Sequence, residues 1–303
     1  MVIGEGKIIS PPPQLDENPI MNRHLQRPTF LYVLSWILSS VLALTLHAEE
    51  SKSFSILAWN VESPGSNHEV IAKQLTELPS FDILALSEVP ESSAEIFSKV
   101  WGPEASVLGQ SGGQSRLFLS WNPNVFELIK KDELKTIDGK SFGPGNQIAP
   151  LVVQLKHKST GFEFKVVMNK LHRGSDVVRK TQAVLLAEWG KQQTIPCIAV
   201  GGYNFDYDFK SKKGNPAFDA FLESRNWKWI EPKEAIDNNW ADNDRDGKDD
   251  YPDSLLDFTF VTQWDKGTII PDITAEVLQR KGDFPDNDQT SDFRPMRTEV
   301  RFR

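Results

Sequence analysis

Cys197-Ile198-Ala199-Val200-Gly201-Gly202-Tyr203-Asn204-Phe205-Asp206 begins apolar and turns polar at its end. The run predicts a buried strand leading into a polar loop, a place where a rigid scaffold presents chemically active groups. The same pattern recurs on either side of it. Phe54-Ser55-Ile56-Leu57-Ala58-Trp59 alternates and ends in Asn60, Asp82-Ile83-Leu84-Ala85-Leu86 is apolar and reaches Glu88, and the strand predicted over 162–168 stops at Asn169. Further strands are predicted over 116–121, 125–130, 151–156, 256–261, 273–280 and 296–302. Helices are predicted over 67–78, over 176–189 with Ser175 as N-cap, and over 216–223. No internal repeat or heptad interrupts this order. Many strands with helices between them indicate an α/β chain of the α+β type, with two packed mixed or antiparallel sheets flanked by helices in one domain over 49–303.

With 303 residues, 39% of them hydrophobic, nine Trp and eighteen Phe, the chain has material for a substantial core. The net charge is −8, and the three basic and three acidic groups of residues 1–48 cancel, so the remainder keeps that value. Such a surface is a poor sequence-independent polyanion binder. Cys197 is the only cysteine, which excludes an intramolecular disulfide and a Cys-based zinc cluster. Between Pro196 and Ile198 it reads as a small core hydrophobe.

Residues 1–20 are Pro-rich and aperiodic. Met21 opens a more convincing start, with Arg23 and Arg27 ahead of an apolar run from Phe30 to Leu46 and then Leu46-His47-Ala48. These are the three regions of a secretory signal peptide, with cleavage expected after Ala48. The competing reading is an uncleaved anchor, for which a run of about 17 residues containing three serines and a threonine is short. The expectation is an exported protein, periplasmic or extracellular, a monomer with no stable membrane insertion after cleavage.

Asn60, Glu88, Asn169 and Asn204 all fall just after apolar strands, and Asp257 and Asp292 come late in the chain. Carboxylates and amides gathered at strand ends make a hard, oxygen-rich site that suits Mg²⁺ or Mn²⁺ better than a soft metal. Such an ion polarises a phosphoryl oxygen.

The order and context of these residues resemble the endonuclease/exonuclease/phosphatase superfamily. Ala58-Trp59-Asn60-Val61 is similar to its first motif and 82–89 to its second. Asn169-Lys170-Leu171-His172 resembles the third, followed by Gly201-Gly202-Tyr203-Asn204, Leu256-Asp257-Phe258 and Ser291-Asp292-Phe293-Arg294-Pro295. The match runs from about residue 54 to 302. The resemblance implies a four-layer sandwich and metal-dependent cleavage of phosphoesters. It implies that Glu88 holds Mg²⁺ with help from Asn60 and Asp292, that Asn204 stabilises the transition state, and that Asn169 and His172 contact phosphate.

Two departures are clear. Gly202 stands where the superfamily has the water-positioning Asp. Phe293 stands where it has an essential His, so Asp257 loses its usual partner. A third is the spacing of Asn169 and His172, because an odd shift along a strand reverses the face a side chain points to. A positioned acid or base contributes about 10²–10⁴ in rate, and cooperating groups act non-additively. Asp206 as a replacement acid lies about 13 Å along an extended strand from position 202. The sequence therefore reads as an exported Mg²⁺-dependent phosphodiesterase or nuclease-like hydrolase with a partly degraded site. The alternative is a pseudoenzyme that binds a phosphorylated ligand or partner. DNA or RNA is one possible ligand among several classes of phosphoester.

Asp242-Asn243-Asp244-Arg245-Asp246-Gly247-Lys248-Asp249-Asp250-Tyr251-Pro252-Asp253 is a separate feature. Asp242, Asp244, Asp246, Asp250 and Asp253 fall at calcium-loop ligand spacing, with Gly247 where the loop must turn sharply. A Ca²⁺ ion there would brace the rim beside Asp257, and a solvated acidic loop is the plain alternative.

Overall fold

The computed structural model describes residues 53–302 except 63–64, 144–146, 243, 245, 264–270 and 285–288. The expected signal peptide and its cleavage point lie outside the described residues. Among those described, no helix is long and apolar enough to cross a membrane.

In chain order the strands are β1 (Ser53–Asn60), β2 (Ile83–Val89), β3 (Ser106–Leu108), β4 (Arg116–Trp121), β5 (Phe126–Glu133), β6 (Thr136–Ile137), β7 (Lys140–Ser141), β8 (Leu151–His157), β9 (Glu163–Lys170), β10 (Cys197–Tyr207), β11 (Trp227–Trp229), β12 (Leu255–Thr262), β13 (Asp272–Val277) and β14 (Met296–Arg301). The α-helices are α1 (His68–Leu75), α2 (Ala94–Ser98), α3 (Asp176–Lys191) and α4 (Pro216–Leu222). One six-stranded sheet has the order β13-β14-β1-β2-β4-β3, the other β11-β12-β10-β9-β8-β5, and β6-β7 form a small ribbon. Each large sheet is mixed. β1 runs parallel to β2 and β9 parallel to β10, and the other pairings are antiparallel.

Side-chain alternation builds the layers. Ile56, Ala58, Ile83 and Ala85 of the first sheet meet Val166, Met168, Ile198 and Val200 of the second in a core between the sheets. Leu57, Trp59, Leu84 and Leu86 point the other way and cluster with Ile71 and Leu75 of α1 and Phe97 of α2. Val167, Ala199, Phe258 and Phe260 cluster with Leu186 of α3 and Phe218 and Phe221 of α4. Each Val, Ile, Leu, Met or Phe among them contributes about 1.5–3 kcal/mol by leaving water. The result is helix, sheet, sheet, helix, the predicted sandwich.

The helix starts follow local chemistry. Asn67 accepts from the Glu69 and Val70 amides, Ser175 from the Val178 amide, and Asn215 caps α4 with Pro216 at its first position. The first helix ends at Leu75 rather than Leu78, because Thr76 caps it by bonding back to the Lys73 carbonyl. β13 ends at Val277 rather than Arg280. β10 is longer than the sequence suggested. Asn204 and Asp206 adopt left-handed φ values of 50° and 47°, the pairing with β12 shifts between Gly202 and Tyr207, and the strand resumes beyond. Its alternating Tyr203, Phe205 and Tyr207 all enter the outer core under the helices.

Candidate functional site

The strand parity that fills the inter-sheet core also decides which polar residues meet. Asn60 follows Ala58 on the inward face of β1, and Lys170 follows Met168 on the inward face of β9. Gly202 on β10 lies directly opposite Lys170 on β9 and opposite Asp257 on β12. These positions gather where the central strands end at one mouth of the sandwich. Glu88 joins them through its backbone. Its φ of 65° sits where the β2–β4 register breaks between Leu86 and Val89, and the turn brings its carboxylate to Asn60. A left-handed non-glycine residue costs about 1–3 kcal/mol and persists only where its surroundings hold it.

The centre of this mouth is an ion pair. The Lys170 ammonium contacts Glu88 Oε1, which also accepts from Asn60 Nδ2 at 2.9 Å. Asn60 Oδ1 in turn accepts from the Glu62 amide at 3.0 Å. The Lys170 and Glu88 side chains are only 18% and 16% exposed, so the pair is not a surface contact. Burial lowers the Lys170 pKa to about 8, opposed by the negative charges of Asp257, Asp292 and Glu62 and assisted by Arg173. At neutral pH the ammonium therefore remains mostly protonated inside an acidic cluster.

Asp257 is buried, and its Oδ2 accepts from Asn238 Nδ2 at 2.7 Å. Asn238 is fixed by its own Oδ1, which accepts the Leu256 amide at 2.8 Å. Burial raises the Asp257 pKa to about 6 against the opposing effects of Asn238, Lys170 and Arg173. Asn238 thus stands in contact with the acid that the resemblance left without a partner. A Cβ built on Gly202 would lie 3.5 Å from Lys170 Cγ and 3.6 Å from Asp257 Oδ1, ordinary contacts on either side. The missing side chain leaves the space between them open.

Phe293 does not project into this mouth. It is 6% exposed and belongs to the outer cluster with Trp59 and Leu256. Its carbonyl accepts from Trp59 Nε1 at 2.7 Å, and Ser291 Oγ links its amide to the Asn60 carbonyl. The Asp292 amide donates to Glu62 Oε2 at 2.9 Å, which keeps this segment beside the acidic cluster.

The remaining expected residues are divided between two faces. Asn169 is fully buried and its Nδ2 donates to the Val200 carbonyl at 3.0 Å. Asn204 Nδ2 donates to the Leu171 carbonyl at 2.6 Å. His172 instead lines a cavity of about 610 Å³ with Lys170, Arg173, Ser115 and Gln147. Its amide is held by Gln182 Oε1 at 2.8 Å, and its buried Nδ1 makes no hydrogen bond within the protein. Gln182 also donates to Gln147 Oε1 at 3.1 Å. No acid is among the described residues lining this cavity, which carries Lys170 and Arg173. Asp206 points elsewhere, accepting from Asn215 Nδ2 at 2.7 Å and lying 3.7 Å from Arg179. Lys170 and Asn238 had no role in the sequence reading. The inward parity shared by Val166, Met168 and position 170 was the one signal that pointed to the lysine.

No protein-family model and no curated protein matches the sequence. Solved structures do. An endonuclease/exonuclease/phosphatase family protein from Bacteroides thetaiotaomicron is similar at 18% identity and TM-score 0.58, covering 83% of this chain and 95% of its own. A mannosyl-6-phosphatase of Bacteroides thetaiotaomicron VPI-5482 is similar at 18% identity and TM-score 0.56, covering 82% and 99%. D. rerio TDP2, complexed with a single-strand DNA product, is similar at 13% identity and TM-score 0.58, covering 82% and 98%. The chain has the endonuclease/exonuclease/phosphatase fold.

Within this endonuclease/exonuclease/phosphatase fold, two of the oxygens expected to serve Mg²⁺, Glu88 Oε1 and Asn60 Oδ1, are already engaged. Glu88 Oε1 accepts from Asn60 Nδ2 and is in contact with the Lys170 ammonium, and Asn60 Oδ1 is used by a backbone amide. A divalent ion about 4 Å from the ammonium would meet about 8 kcal/mol of repulsion at an effective dielectric of about 20. With Lys170 in place, Glu88 Oε1 and Asn60 Oδ1 are closed to a resident Mg²⁺.

The 242–253 loop differs. Among the described residues, the group of three acids whose ligand atoms all lie within 4.8 Å of one another is Asp242, Asp244 and Asp250. Asp242 accepts from the Asp246 and Gly247 amides, both at 2.9 Å, and Gly247 turns with φ 83°. Asp246 pairs with Lys248 at 2.8 Å, and neither Asp246 nor Asp253 belongs to the three-acid group. Asp249 and Asp253 act instead on Asp237, whose pKa is raised to about 6 chiefly by burial.

Proposed function

We propose that this chain binds a phosphorylated ligand in the cleft beside Lys170 and turns it over slowly or not at all. The observation that carries this reading is the cavity lined by Lys170, His172 and Arg173, with no acid among its described residues, beside a mouth where position 202 is a glycine and Phe293 is buried. A phosphoryl group carries charge over three oxygens. The Arg173 guanidinium offers a planar fork for two of them, and His172, Ser115 and Gln147 supply further polar contacts. Asn204 and Gln182 act behind them, by fixing the Leu171 carbonyl and the His172 amide.

The fold supports a hydrolase scaffold, and slow phosphoester hydrolysis is the second reading. It is favoured by Asp257, a buried acid with a pKa of about 6 that exchanges its proton near neutrality, 2.7 Å from Asn238. The two readings separate in one assay with p-nitrophenyl phosphate and bis(p-nitrophenyl) phosphate. Binding weakened at least tenfold by Arg173→Ala, without release of nitrophenolate, supports the ligand-binding reading. Release that Asp257→Asn abolishes supports the enzyme, and no binding by either compound defeats both.

Export and a Ca²⁺ ion at Asp242, Asp244 and Asp250 belong to the same proposal. An N-terminus beginning at Glu49 in the protein made by its own host would support export, and retention of residues 21–48 would count against cleavage.

A further inference from the structure

We propose that Lys170 is a built-in replacement for a divalent cation, its ammonium occupying the acidic mouth around Glu88 and keeping Mg²⁺ and Mn²⁺ out. The inference does not depend on whether the neighbouring cleft binds a phosphoester. Three observations carry it. Strand parity sends the Lys170 side chain inward with Val166 and Met168, so its ammonium enters the mouth rather than solvent. Glu88 Oε1 contacts the Lys170 ammonium and accepts from Asn60 Nδ2, the places a cation and its orienting amide would otherwise take there. Gly202 completes the arrangement. A Cβ at that position would lie 3.5 Å from the lysine Cγ and 3.6 Å from Asp257 Oδ1, so residue 202 faces the lysine stem and the acid together.

An ordinary surface ion pair is the plain alternative. It fits poorly, because both partners are largely buried and Asp257, Asp292 and Glu62 also act on the lysine. A lysine held among those acids neutralises part of their charge. Glycine at 202 and lysine at 170 lie directly opposite each other across the β9–β10 pairing.

The test counts bound Mn²⁺ by the loss of its free electron-paramagnetic-resonance signal, using wild type, Glu88→Gln, Lys170→Met and the double variant Lys170→Met/Glu88→Gln. Ions held by the 242–253 loop are common to all four and cancel. The expected result is equal binding by wild type and Glu88→Gln, and one additional Mn²⁺ in Lys170→Met that the double variant loses. That extra site should be at least tenfold tighter than any site sensitive to Glu88 in the wild type. If Lys170→Met does not fold, Lys170→Gln takes its place. Glu88-dependent Mn²⁺ binding by the wild type would overturn the proposal, and so would a folded Lys170 variant that gains no ion.

Discussion

Replacing Lys170 with methionine removes the ammonium while keeping an unbranched stem of similar length, and the consequence for stability depends on pH. The folded chain releases the Lys170 proton near pH 8, whereas the unfolded chain holds it to about 10.5. Between those values the unfolded state binds more protons, so the contribution of this group to stability rises with pH. At about 1.36 kcal/mol per pH unit the full change is about 3 kcal/mol. It is absent below about pH 8 and complete above about pH 10.5. Burial causes it, because the ammonium loses more hydration than Asp257, Asp292 and Glu62 return. Urea unfolding of both proteins at about pH 7.5 and about pH 10.5 measures it. Tyr203 and Cys197, whose pKa values burial raises, titrate in both proteins and largely cancel in the difference. Wild type should gain about 3 kcal/mol on the variant over this interval. A flat difference would mean that the ammonium is hydrated, and the reasoning about the acidic mouth would fail.

Four more outcomes are expected. Gly202→Asp/Phe293→His should gain no activity on phosphodiesters while Lys170 remains, because the new acid would meet the lysine and the new imidazole would lie in the outer core; nitrophenolate release by the double variant above that of the wild type would contradict this. Phe293→His alone should cost about 2 kcal/mol in urea unfolding, since it places a polar ring among Trp59 and Leu256. Asn238→Ala should cost about 2–3 kcal/mol by leaving the Asp257 carboxylate and the Leu256 amide without their bonds, and it should push the Asp257 pKa further up, as NMR titration would record. Saturating Ca²⁺ should raise the melting temperature by about 5 °C, and Asp242→Asn should abolish the rise. An unchanged melting temperature would reduce the loop to a solvated acidic turn.

Much of the architecture was written in local patterns. The alternation in 54–59, the apolar runs at 82–86 and 197–201 and the caps at Ser175 and Asn215 each declare a strand or a helix start through forces acting over a few residues. Short elements such as β3, β6, β7 and β11 escaped, because two or three residues carry no period and depend on a neighbouring strand for their hydrogen bonds. The site was legible as residue types and less so as geometry. Asn60, Glu88 and Asp257 do converge, but Glu88 needs a left-handed backbone to turn inward, and periodicity alone would have sent it outward with Leu84 and Leu86.

The sequence by itself determined the layers and the residue types at 202 and 293. A glycine has no carboxylate and a phenylalanine has no proton to transfer, wherever they lie. Only the tertiary structure decided what stands beside Gly202. Register places Lys170 and Asp257 on either side of Gly202, across strands separated by dozens of residues, and inward parity delivers the ammonium to Glu88. Charge–charge contact is a property of distance in space. No pattern along the chain between 88, 170, 202 and 257 encodes it.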